Sequence, residues 1–378
     1  MNTALATLLR TLACLGAAGG ALAAAAPPDL AALLAQDPGS GFAQVSAARA
    51  FSFPADHGPH PEYRQEWWYT TGNLEAADGE RFGFELTFFR YGLAAPGAAA
   101  AGASAWRTDT LYMAHFALTD VAQQRFRFAQ KFSRGALGLA GASGEPLHVW
   151  LDDWYLQVSP DVPSSWLLHA AGAGYELELE LDASGTPVLN GVAGFSAKSE
   201  RPGDASYYYS LPRVGVRGQL WRAGRALAVT GLAWFDREWG SGGLGAGQAG
   251  WDWFALQLQD GSALMFYALR DARGTRDAHS AGTFIDATGA PRALSSQEVI
   301  IEVTDVWRSP QGVSYPSAWH VRVPKLALDL TVQPLLADQE LATKPRYWEG
   351  AVEVHGTRAG ETLGGRGYVE LVGYAQER

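Results

Sequence analysis

The chain has 378 residues and a formal net charge of −10, with no run of more than two consecutive Lys or Arg, which argues against a nucleic-acid partner. Cys14 is the only cysteine and lies in an N-terminal segment expected to be removed, so disulfides, thiolate catalysis and Cys-ligated zinc are excluded. The 14 Trp and 44 Gly, set among short alternating segments, indicate β-structure with tight turns.

The N-terminus reads as a cleavable signal peptide over 1–26. Met1 to Arg10 carries one positive charge and no acid, Thr11 to Ala26 is apolar or small, and an Ala-rich cleavage zone precedes Pro27-Pro28. The apolar part is shorter than the roughly 20 residues that span a bilayer. Export to the periplasm or medium is therefore expected. Residues 27–50 form a lead-in with one short helical pattern, Asp29 to Leu34.

From Phe51 onward the chain reads as strands. Glu66 to Leu74 is one, Asp78-Gly79 is a hairpin turn, and Arg81 to Arg90 returns with Phe82, Phe84, Leu86 and Phe88 on one face. Residues 93–105 form an Ala/Gly/Pro loop, and Leu111 to Thr119 is the next strand. In Tyr175 to Asp182, Tyr175, Leu177, Leu179 and Leu181 alternate with Glu176, Glu178 and Glu180, the pattern of a strand buried on one side. A strand ending in Trp234-Phe235-Asp236-Arg237-Glu238-Trp239-Gly240 is followed by a Gly-rich loop. Trp251 to Leu258, the Asp260-Gly261 turn and Leu264 to Arg270 make a second hairpin, and Tyr347 to Val354 with Gly367 to Leu371 a third. No βαβ rhythm or long amphipathic helix is present. The expected fold is all-β: two consecutive lipocalin-like antiparallel β-barrel domains packed together, over 51–226 and 227–378.

There is no phosphate-binding loop, dinucleotide fingerprint, His-Glu-x-x-His or Gly-x-Ser-x-Gly motif, so neither a cofactor nor a metal is implied. Acids embedded among aromatics stand out instead: Glu66 before Trp67-Trp68-Tyr69, Asp236 and Glu238 between Trp234 and Trp239, and Asp252 between Trp251 and Trp253. A carboxyl on a barrel's inner face, walled by Trp and Tyr, is desolvated and stays protonated near neutral pH. Aromatic faces stabilise a developing cation. The pair suits protonation of a carbon–carbon double bond followed by addition of water. The bland alternative is a structural salt bridge from Arg237 to a neighbouring acid, with Trp simply filling core.

Together, Glu66 to Tyr69 with Gly72-Asn73-Leu74, Trp234 to Gly240, Trp251 to Phe254 and Tyr347-Trp348-Glu349-Gly350 resemble the AttH/carotenoid 1,2-hydratase (hydroxyneurosporene synthase) family, in its secreted branch. The resemblance spans roughly 50–376. It implies Asp236 as the acid that protonates an isoprenoid double bond, with Trp239 as an aromatic wall. Where the hydratase motif carries a histidine, this chain has Arg237 or Glu238. The expected catalytic residues are Asp236 and Glu238. The expected substrate contacts are Glu66, Trp67, Trp68, Tyr69, Trp234, Trp239, Trp251, Trp253, Tyr347 and Trp348. The expected partner is a hydrophobic small molecule or lipid. The same residues also fit a non-catalytic periplasmic carrier, or an adaptor for inner-membrane or envelope transport components.

Overall fold

The computed structural model describes residues 41–97 and 108–375; the signal peptide expected over 1–26 and the helical pattern expected at 29–34 lie outside them. Every strand pairing is antiparallel, and apart from two short 3-10 turns, Ala55–His57 and Pro324–Leu326, the described elements are strands. Two sheets result. The first runs, in spatial order, Arg125–Arg134, Thr110–Asp120, Arg81–Gly92, Gln65–Ala76, Arg225–Gly240, Ala205–Arg222, Tyr175–Asp182, and on through Ser165–Gly172 to Ala140–Gly144. It curls until Leu147–Leu151 meets Thr110–Asp120 and Arg125–Arg134. The second runs Pro291–Ser295, Ala281–Ile285, Ala263–Asp271, Gln248–Leu258, Glu361–Val372, Tyr347–Arg358, Leu328–Pro334, Ser314–Val323 and Ile300–Arg308. The architecture is the expected pair of lipocalin-like barrels.

Local chemistry sets the hairpins. Gly79 and Gly261 adopt φ of +86° and +88°, the left-handed turn geometry that Asp-Gly was expected to supply. One turn lacked an obvious signal. Ala223 and Gly224, at φ of 52° and 79°, reverse the chain between Ala205–Arg222 and Arg225–Gly240. Arg225–Gly240 is hydrogen-bonded between Ala205–Arg222 and Gln65–Ala76, so it completes the first sheet. The chain therefore changes sheets between 240 and 248, not at 226/227.

Each sheet wraps its own apolar core. Trp68, Phe82, Phe84, Phe88, Trp154, Phe235 and Trp239 fill the first; Phe254, Trp319, Trp348 and Val369 belong to the second. Burial of Phe82, Phe84 and Phe88, each at most 1% exposed, contributes roughly 1.5–3 kcal/mol apiece. A third cluster, including Tyr69, Tyr208, Trp234, Trp253, Met265, Tyr267 and Tyr368, joins the outer faces of the two sheets. The faces approach closely. A Cβ on Gly83 would stand 2.4 Å from the Ala351 Cβ, and Asn73 donates to the Gly367 carbonyl at 3.0 Å.

Candidate active site

Strand alternation decides which motif residues meet. Along Gln65–Ala76 and Arg225–Gly240, one set of side chains points into the first barrel and the other toward the second sheet. Trp67, Tyr69, Asp236 and Glu238 take the second direction. They line a cavity of about 110 Å³ between the sheets, together with Trp251, Trp253 and Tyr347 from the other side. The expectation that Asp236 lies on a barrel's inner face is thus corrected: it lies on the outer face, in the seam, because Phe235 and Trp239 occupy the interior. Gly242, Gly243 and Leu244 of the Gly-rich loop complete one wall.

The remaining expected substrate contacts fall elsewhere. Glu66 is wholly buried inside the first barrel, ion-paired with Arg237 and Arg90, and accepts from the His60 backbone N–H at 2.9 Å. Burial alone would raise its carboxyl, but Arg237 and Arg90 hold it well below the usual carboxylate range. Trp68 and Trp239 sit in the same interior, with the Arg237 guanidinium 3.9 Å from the Trp68 ring and His60 stacked on Trp239 at 3.9 Å. Trp348 packs in the second barrel. Trp234 does not line the cavity; it backs Asp236, donating its indole N–H at 2.7 Å. Asp252 pairs with Arg270 at 3.0 Å and has no part in the cavity wall. Arg237 does make a structural salt bridge, but with Glu66 rather than Asp236.

Although the Lys198 ammonium is close enough to feel its charge, no cation among the described residues makes an ion pair with Asp236. Its Oδ1 accepts from Ser210 at 2.5 Å and from Trp234, while Oδ2 lies 2.5 Å from the Tyr208 hydroxyl, which in turn accepts from the Trp253 indole at 3.1 Å. Burial pushes the Asp236 carboxyl up to about 7, outweighing the three donors that favour the ion. Glu238 is held differently. Lys198 lies 3.1 Å away and Ser206 also donates to it. Burial opposes the Lys198 ammonium, but Glu238 keeps it above its ordinary value. The two catalytic candidates, two residues apart on one strand face, thus present one carboxyl that burial pushes toward the protonated form and one held in an ion pair.

The second sheet adds acids that were not among the expected site residues, although Glu349 lies in the Tyr347-to-Gly350 motif. Glu370 and Glu349 line the same cavity. Burial raises Glu370 to about 7 although the Trp251 indole donates to it at 2.9 Å. Glu349 is fully buried and raised by burial and by the neighbouring Glu85. Glu85, Glu349 and Glu370 share one legible signal, a carboxyl among buried apolar neighbours on a strand; Lys198, just ahead of Ser199-Glu200-Arg201, carries no such mark. A larger cleft of about 1120 Å³ opens elsewhere along the seam. Its lining charges, such as Glu180 and Arg217, are paired at 2.6 Å, and Glu180 is solvent-facing. That cleft offers no desolvated acid, so the smaller cavity is the candidate site.

Two curled antiparallel sheets with an acid-lined cavity in the seam between them define a double lipocalin-like protein. The chain belongs to the AttH-like family, whose profile matches residues 44–374. A crystal structure of an AttH-type protein from Nitrosomonas europaea superposes with a TM-score of 0.77 at 36% identity, over 88% of this chain and 100% of that one. Kievitone hydratase from Nectria haematococca shares the fold, with a TM-score of 0.67 at 17% identity over 93% of this chain and 98% of that one. In sequence, the chain is 23% identical over 271 residues to the dehydratase asqC of Emericella nidulans, covering 68% of this chain and 75% of that protein.

Proposed function

We propose that the protein is a hydratase-like enzyme that adds water to, or removes it from, a carbon–carbon double bond in a hydrophobic, isoprenoid or lipid-like substrate. The observation that carries this reading is Asp236: a buried carboxyl on the cavity wall, in no ion pair among the described residues, held at about 7. In the neutral form it gives its proton to one alkene carbon, directly or through the Tyr208 hydroxyl. The carboxylate left behind is stabilised by the donors Ser210, Trp234 and Tyr208. The carbocation forms against Trp67, Trp251 and Trp253. Water adds to it, oriented by Glu238, which Lys198 fixes in place. Dehydration is the same path reversed. The kinship with a dehydratase and the shared fold of a hydratase support both directions.

A cavity of about 110 Å³ is smaller than the roughly 300–1,000 Å³ typical of whole drug-sized ligands, so it would enclose the reacting end of a longer molecule. The barrel interiors are packed with Trp and Phe, which disfavours carriage of a lipid inside either one. Export of the mature chain to the periplasm belongs to the same proposal and rests on the N-terminal sequence alone.

The test is incubation with geraniol and squalene in oxygen-18 water, followed by mass spectrometry. Products heavier by one labelled water are expected. Asp236→Asn should cut their formation by about a hundred- to ten-thousand-fold, the usual contribution of a general acid. Undiminished labelling in that variant would overturn the assignment of Asp236. Binding of both alkenes without labelling would make the protein a carrier.

A further inference from the structure

Two contacts set how the sheets face each other. Arg81 Nη1 lies 3.2 Å from Glu353 Oε1, and the Gly83 Cβ position falls against Ala351. Continuing that register along Arg81–Gly92 and Tyr347–Arg358 brings Glu85 opposite Glu349 and Thr87 opposite Tyr347. Both glutamates are fully buried, and neither carboxyl makes a hydrogen bond of ordinary geometry. Among the described residues no ion pair to either is formed, and the Thr87 hydroxyl, the phenols of Tyr69, Tyr347 and Tyr368, and the Glu370 carboxyl face them. Two carboxyls so placed cannot both ionise, and burial raises each above its ordinary range, so the pair keeps at least one proton.

A chain of hydrogen bonds behind Tyr347 fixes its direction. Gln130 Nε2 donates to the Lys344 carbonyl, which can only accept, at 2.9 Å. The same nitrogen is 2.7 Å from His115 Nε2 and donates to it, placing the ring proton on Nδ1. His115 Nδ1 then donates to the Tyr347 hydroxyl oxygen at 2.6 Å. Burial lowers the His115 imidazole to about 3, so the ring is neutral and this tautomer persists. With its oxygen already accepting, Tyr347 must aim its own hydrogen elsewhere, and the Glu349 carboxyl lies against it.

We propose that Glu85 and Glu349 are a proton-sharing carboxyl pair whose Glu349 member, facing the cavity, takes the proton from the reacting water. This rests on the hydratase reading and deepens it. In the addition direction the alkene π pair takes the Asp236 proton, a water O–H bond breaks, its oxygen forms the new C–O bond, and the released proton goes to Glu349. Solvent then restores both groups. Glu349 is the catalytic residue; Glu85, His115 and Gln130 are positioning residues acting through it and through Tyr347.

Infrared titration of the carboxylic-acid C=O band on the full chain tests the pairing without any substrate. Native-minus-variant spectra for Glu85→Gln and Glu349→Gln isolate the pair. The native pair should lose its protons in two steps more than about 1 pH unit apart. Each variant should show a single step between them. A native curve equal to the sum of the two variant curves would overturn the sharing. If a glutamine variant does not fold by near-ultraviolet circular dichroism, Glu85→Asp replaces it, and the two steps should then draw together; unchanged spacing overturns the pairing. The catalytic half is read in oxygen-18 labelling. Glu349→Gln should lower kcat about a hundred-fold or more with KM nearly constant, and Glu85→Gln should move the pH profile. Labelling by Glu349→Gln at the native rate overturns the water-activating role. Absence of labelling even in the native chain overturns the hydratase reading and this role with it, while the infrared result still decides the pairing.

Discussion

Replacing Asp236 with Asn should stabilise the protein at pH 8 while abolishing its chemistry. The folded carboxyl sits at about 7, against an ordinary 3.8 in the open chain. Between those values the folded state holds a proton the unfolded state has released, so stability falls as pH rises. A gap of about 3 units at 1.36 kcal/mol each gives a penalty on the order of 4 kcal/mol, fully present above about pH 7 and absent below about pH 4. Asn mimics the protonated acid. Its carbonyl oxygen can accept from Ser210 and Trp234, and its amide can donate to the Tyr208 oxygen. The native chain and the variant should therefore have similar melting temperatures near pH 4.5 and diverge through pH 7, with the variant higher. Calorimetry between pH 4.5 and 8.5 measures this. A variant that melts below the native chain at pH 8, or tracks its pH slope, would show that burial does not hold Asp236 neutral.

Glu66→Ala leaves Arg237 and Arg90 buried without their shared partner and should cost about 3–5 kcal/mol by denaturant unfolding, because an uncompensated buried charge remains. Glu66 and Asp56, the latter lowered to about 2 by His60 and Arg49 against the opposing effect of burial, stabilise the fold above the ordinary carboxylate range. That stability disappears as pH falls through their folded values, so the variant's acid-unfolding curve should be shallower than the native one. Tyr208→Phe removes a donor that favours ionised Asp236, so the alkaline limb of the activity profile should move to higher pH; an unmoved limb would detach Tyr208 from the acid. Gly83→Val forces a side chain against Ala351 and should destabilise by about 1–3 kcal/mol in the same unfolding assay, with no loss if the sheets separate freely.

Period-two alternation and Asp-Gly turns made the strands legible, and the Trp234-to-Gly240 motif located the acid. The strand Tyr175–Asp182 came out as read, its Tyr and Leu side chains buried and Glu176, Glu178 and Glu180 outward. Facing was harder. In Gln65–Ala76 both faces are apolar because both are covered, one by the barrel interior and one by the second sheet. Alternation separates Trp67 and Tyr69 from Glu66 and Trp68, but it does not say which set meets the interior. Pairing across the seam was invisible for a related reason. Glu85 and Glu349 lie 264 positions apart, and each is ordinary in its own hairpin. What marked them was chemical: a carboxyl among buried apolar neighbours, Phe84 and Leu86 beside Glu85, Trp348 and Ala351 near Glu349. The change of sheet was misplaced because Ala223-Gly224 carries a weaker turn signature than Asp-Gly.

The seam location separates folding from selectivity. Side chains such as Trp67, Phe89, Trp251 and Leu269 lean outward from sheets whose own interiors are already filled, so they can be exchanged without disturbing either interior. Relatives built this way are free to diverge in what they act on while keeping both scaffolds intact. Severing the chain between 240 and 248, by contrast, would leave each piece holding only part of the cavity wall.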